Sequence, residues 1–89
     1  MQKDIWVIYT THARSDLRSL DKTISTRIVK KIESYTKTQP LLNAKSLSGV
    51  FDGLYRYRIG DCRAIFEYKE NKLVVIKIMT IKHRKDAYR

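Results

Sequence analysis

Apolar positions change their spacing twice along this chain. Ile5-Trp6-Val7-Ile8-Tyr9 is an unbroken β-branched and aromatic run, and predicts a strand. From Ala13 the spacing becomes three to four residues: Ala13, Leu17 and Leu20 first, then Ile24, Ile28, Ile32 and Tyr35. Thr10 or Thr11 suits the start of the first helix, Asp21 suits the N-cap of the second, and Pro40 stops it. Lys22, Arg27, Lys30, Lys31 and Lys37 fall off the apolar face or at its edge. The pattern predicts a helical hairpin over about Thr11 to Thr38.

Leu41 to Asp52 reads as a loop, with Gly49 and Gly53 as its flexible points. Beyond it the period is two. LYRYRI (Leu54 to Ile59) and CRAIFEY (Cys62 to Tyr68) alternate across a Gly60-Asp61 turn. Asn71 makes a second turn before KLVVIKIMTI (Lys72 to Ile81), a long apolar strand with one interior lysine. The expected order is β-α-α-β-β-β: an α+β fold with a small, mainly antiparallel sheet and a helical hairpin packed on one face. No repeat or linker interrupts residues 1–89, which read as one domain.

Composition narrows the class. The chain is 89 residues long, and such a length buries roughly 60 to 70% of its unfolded surface, enough for one modest core. No run approaches the ~18 apolar residues of a membrane span, and MQKDIWVIYT has no signal-peptide core. Cys62 is the single cysteine, which excludes an internal disulfide and the usual cysteine-built zinc sites, and suits a reducing cytoplasm. Nineteen Lys and Arg against nine Asp and Glu give a net charge of +10. So positive a body favours nucleic acid first, with an anionic membrane or an acidic protein as other partners.

Alternation also sorts the side chains by face. Arg56 and Arg58 project together, opposite Tyr55, Tyr57 and Ile59; Arg63, Ile65 and Glu67 share one face, opposite Cys62, Ala64, Phe66 and Tyr68. If the arginines lie on the face away from the helices, Arg56, Arg58 and Arg63 form a cationic surface, and the last strand brings His83 and Arg84 to its end, with Tyr88 beyond. The grouping suits phosphodiester chemistry. Cleaving RNA through its 2′-hydroxyl needs a base, positive charge on the crowded phosphate, and an acid for the departing 5′-oxygen. Arginine stabilises charge but shuttles protons poorly, whereas histidine does either step near neutrality. Taken singly, each residue has a plainer role: a solvated strand face for the arginines, a surface histidine, and sheet packing for Tyr55, Tyr57 and Tyr68. Their convergence on one side of one sheet carries the reading.

Three segments resemble the RelE/ParE superfamily of bacterial toxins from toxin–antitoxin pairs. Asn43 to Gly49 (NAKSLSG) is similar to that family's K-x-L-x-G segment, and Leu54 to Tyr68 to its Y-[KR]-[IVL]-[KR]-x-G-x-[YC]-R-x-x-[YF] stretch. His83 to Tyr88 (HRKDAY) resembles its terminal H-R-x-x-x-Y. The resemblance implies a ribosome-dependent endoribonuclease that cuts messenger RNA in the ribosomal A site without a metal or cofactor. By position it gives Arg63 and Arg84 to phosphate stabilisation and Tyr88 to the cut nucleotide, and matches Arg56 and Arg58 to two basic residues, often lysines, used for substrate binding and proton transfer. Lys82 is a further substrate-binding candidate. With arginines at 56 and 58 the base must lie elsewhere: His83, with Lys82 or Tyr88 as the alternatives. The ParE branch, which inhibits DNA gyrase without catalysis, generally lacks the Arg/His/Tyr combination. A degenerate toxin that only binds its antitoxin is the third reading. The resemblance also implies an acidic antitoxin partner and contact with ribosomal RNA, both suited to the +10 charge.

Overall fold

A computed structural model describes residues 3–47 and 53–83. Its elements are β1 (Ile5–Tyr9), α1 (Thr11–Arg18), α2 (Lys22–Thr36), β2 (Ala44–Ser46), β3 (Leu54–Ile59), β4 (Cys62–Glu70) and β5 (Val74–His83). The strands form one sheet in the order β1-β5-β4-β3-β2. β1 runs parallel to β5, and the other pairs are antiparallel. The expected α+β arrangement is therefore present: a helical hairpin on one face of a mainly antiparallel sheet. Among the described residues no helix is long and apolar enough to cross a membrane.

Local chemistry explains the element ends. Thr10 is extended, and its hydroxyl accepts from the Ala13 N–H, a side-chain cap for α1. Asp21 occupies the N-cap position of α2 but makes no side-chain cap bond. Gly60 turns the chain between β3 and β4 at φ +58°, a left-handed conformation that glycine adopts without steric cost.

The core lies between the helices and one sheet face. Ala13, Ile28 and Ile32 meet Tyr57, Ile59, Cys62, Ala64, Phe66, Ile76, Ile78 and Ile81, all buried. Tyr57 stacks on Phe66 with centroids 4.4 Å apart, tilts against Tyr35 at 5.1 Å, and donates its hydroxyl to the Pro40 carbonyl. That bond satisfies the one polar atom of a fully buried ring. Tyr55 stacks on Phe66 as well, so Tyr55 and Tyr57 pack the sheet.

Two elements depart from the pattern-based expectation. The segment read wholly as a loop contains β2, whose Ala44, Lys45 and Ser46 pair with Tyr57, Arg56 and Tyr55. Three residues are too few to show a period. The last strand starts at Val74 and carries a β-bulge: Ile65 pairs with Thr80 but Phe66 with Ile78, leaving Met79 as the extra residue. The bulge keeps Ile76, Ile78 and Ile81 all on the core side, although Ile78 and Ile81 are three residues apart.

Candidate nucleic-acid interface

The face turned away from the helices carries the arginines. Arg58 pairs with Arg63 across β3 and β4, and Arg63 with Lys82 across β4 and β5. Directly opposed residues of an antiparallel pair share a face with Cβ atoms about 5 Å apart. Arg58, Arg63 and Lys82 therefore stand in one row, the second ladder position from the Gly60 turn. Arg56 lies two residues back along β3, beside Lys45 of β2. Lys45 adds a cation that spacing alone did not single out, because its short strand was not visible.

Like charges directly opposite one another destabilise a sheet. Nothing among the described residues relieves this row. The ion pairs among the described residues are Lys3 with Glu70 and Lys69 with Glu67, His12 Nε2 lies 3.6 Å from Asp16 Oδ2, and no carboxylate pairs with Arg56, Arg58, Arg63 or Lys82. Arg58 and Lys82 are exposed and Arg63 is half-buried. Three cations at adjoining positions on three neighbouring strands can together hold an anion, and arginine's planar fork suits the oxygens of a phosphate.

His83 does not join the row. It pairs with Cys62, which is buried among the core residues, so His83 sits on the helix side at the rim of the sheet. Straight alternation from Ile76 and Ile78 would have put position 83 on the arginine face. The extra residue at Met79 reverses that parity, moving Lys82 to the open face and His83 to the other. Arg56, Arg58 and Arg63 thus share the open face as expected and Lys82 joins them, whereas the expected grouping of His83 with them on one side of the sheet does not hold. Arg84 and Tyr88 lie outside the described residues.

Arg27 of α2 comes to the same end from the helix side. A methyl group built on Gly60 would meet its Nη1 at 3.6 Å, so the guanidinium lies against the β3–β4 turn. Along α2, Arg27, Lys30 and Lys31 line a shallow open depression with Thr23, Thr26 and Ser34. The sequence placed Arg27 off the apolar helix face; its position over the turn is a tertiary fact no local pattern encodes. No cluster of three His, Cys, Asp or Glu able to hold a metal ion occurs among the described residues.

A family model described as the ParE toxin of the type II toxin–antitoxin system parDE matches residues 7–88. The chain belongs to the RelE/ParE toxin superfamily. It is a toxin of the type II toxin–antitoxin class. Among solved structures, it is similar to a chain of the toxin–antitoxin complex RelBE2 from Mycobacterium tuberculosis, with 26% identity, TM-score 0.78, and 89% and 96% of the two chains covered. The archaeal RelE–RelB complex from Pyrococcus horikoshii gives 27% identity and TM-score 0.70 over 94% of this chain and 97% of that one. A mutant of the E. coli toxin RelE in the free state, at 18% identity, shares the fold with TM-score 0.73 over 98% of this chain and 87% of its own. No curated sequence is significantly similar to the chain.

Proposed function

We propose that this toxin is a messenger-RNA interferase: a ribosome-dependent endoribonuclease that cleaves message in the ribosomal A site and so stops translation. The observation that carries the reading is the Arg58–Arg63–Lys82 row, unneutralised among the described residues and open to an anion. The row seats the scissile phosphate. Attack of the neighbouring 2′-oxygen on phosphorus forms a 2′,3′-cyclic phosphate and releases the 5′-oxygen, which leaves as a hydroxyl once protonated. Arg63, with Arg84, stabilises the extra negative charge on the phosphate. His83 handles the proton from the rim, because histidine is the side chain that takes and gives a proton near neutrality. Arg56 and Lys45 hold the message on either side of the cut, and Tyr88 stacks on the cut nucleotide. No metal ion or cofactor takes part.

An acidic antitoxin restrains this activity. Relatives of the same fold, RelBE2 of M. tuberculosis and RelE–RelB of P. horikoshii, were solved in toxin–antitoxin complexes, and a body of net charge +10 attracts an acidic chain. The second reading, inhibition of DNA gyrase without catalysis, is favoured by the family model's description as a ParE toxin.

Translating ribosomes programmed with a defined message decide between them. Purified protein is added and the 5′ ends are mapped by primer extension, beside free message. Cuts at A-site codons only when ribosomes are present are the expected result. Growth arrest without RNA cuts, accompanied by trapped gyrase–DNA complexes, would overturn the interferase in favour of the second reading.

A further inference from the structure

β5 changes neighbours half-way along its length. From Val74 to Ile78 its outer edge is paired with β1. Beyond that β1 has ended, and α1 takes its place. Thr10 donates its N–H to the Ile78 carbonyl and its hydroxyl to the Met79 carbonyl, at 3.0 and 2.9 Å. One residue further on, Asp16 Oδ2 accepts from Thr80 Oγ1 at 2.7 Å and from the Ile81 N–H at 2.9 Å. His12 Nε2 lies 3.6 Å from the same oxygen. A carboxylate side chain thus does the work of a missing strand at the residues that follow the bulge, and α1 grips the bulged residue itself through Thr10.

This contact has a consequence for the cationic row. A β5 without the bulge would be displaced by one residue past Phe66, pairing Arg63 with Ile81 and Cys62 with Lys82. Such a slip turns every side chain after it to the other face. Lys82 would leave the row, and His83 would stand on the arginine side. Burying Ile81 already favours the bulged register. However, the bulge leaves Met79 unpaired, and the Asp16 bonds exist only when Thr80 and Ile81 sit where the bulge puts them.

We infer that Asp16 is a positioning residue: from α1 it holds β5 in the bulged register, and so makes Lys82 the cation that completes the row with Arg58 and Arg63. The inference deepens the interferase reading and rests on it for its effect on cleavage, but the register itself is measurable without any cleavage. Asp16→Asn keeps an oxygen that accepts both hydrogen bonds, whereas Asp16→Ala keeps none.

The test is nuclear magnetic resonance on the full chain, reading cross-strand contacts of Arg63 and the exchange protection of the Ile81 amide, with single-turnover cleavage on ribosomes alongside. In Asp16→Ala the Arg63–Lys82 contacts are lost or joined by Arg63–Ile81 contacts, Ile81 protection falls at least tenfold, and the cleavage rate per folded molecule falls at least tenfold with message affinity within about twofold. Asp16→Asn restores all three. If Asp16→Ala fails to fold, Thr80→Val removes one of the two donors and shows a smaller change in the same direction. Unchanged Arg63–Lys82 contacts and full Ile81 protection in a folded variant lacking the acceptor, or in Thr80→Val when that variant stands in, would overturn the inference. A wild-type protein that does not cut, with the contacts still lost in Asp16→Ala, would refute the interferase and leave the register claim standing.

Discussion

The two faces of the sheet, built by the same residues in alternation, obey opposite rules. On the helix side, Tyr57, Phe66, Ile76 and Ile78 are fully buried and each polar atom is satisfied, down to the Tyr57 hydroxyl on the Pro40 carbonyl. On the open side, Arg58, Arg63 and Lys82 stand opposite one another with no described acid paired to them. The first face lowers the free energy of the fold. The second sets like charges opposite one another, which costs stability locally, and an anion bound there would offset that cost. On the proposed reading, stability and function are separable by face, one residue apart along each strand.

That separation can be broken from the covered side first. Phe66→Ala removes the ring that Tyr55 and Tyr57 stack on, and is expected to cost about 3 to 5 kcal/mol in chemical denaturation. Arg63→Ala is expected to lower single-turnover cleavage by about 100- to 1,000-fold, as for loss of a group that stabilises transition-state charge, with stability held or slightly raised by relief of repulsion. An Arg63 variant that loses its fold along with its activity would merge the two faces again.

A smaller effect tests satisfaction on the covered face. Burial, with Tyr35 and Tyr68 nearby, pushes the Tyr57 hydroxyl well above its ordinary pKa of 10.0. The folded state thus favours the neutral form. Its contribution is fully present below pH 10, and is lost as pH rises beyond that value because the unfolded chain ionises first. Tyr57→Phe is expected to cost about 1 kcal/mol at neutral pH through the lost hydrogen bond, and to flatten the alkaline fall in stability seen by denaturation. The smallest expected change is at the margin of the open face. Lys45→Ala should weaken RNA binding only severalfold and reduce the slope of log affinity against log salt by about one, without moving the cut sites.

Most of the sheet was legible because burial on one face forces period-two alternation, and Leu54 to Tyr68 shows it plainly. The arginines' common face followed directly. The bulge was not legible: Met79 is an apolar residue in an apolar run, and only the three-residue step from Ile78 to Ile81 hints that one position is extra. That single residue decides the face of His83: straight alternation from Ile76 and Ile78 would group it with the arginines, and the fold does not. Nor could the chain announce that Asp16 would meet Thr80 and Ile81, separated from it by 64 and 65 positions. Such contacts are set by how α1 lies on the sheet, which no local spacing encodes.

The most direct measurement compares two lysines of one strand. Lys77 and Lys82 are both exposed on β5 and both face away from the helices, but Lys77 pairs with Glu67 whereas Lys82 pairs with Arg63. Single-turnover cleavage on programmed ribosomes, with 5′ ends mapped, should fall at least tenfold in Lys82→Ala and remain within twofold of wild type in Lys77→Ala. Equal activity in the two variants, whether both retained or both lost, would contradict the claim that the Arg58–Arg63–Lys82 row is where the message is cut.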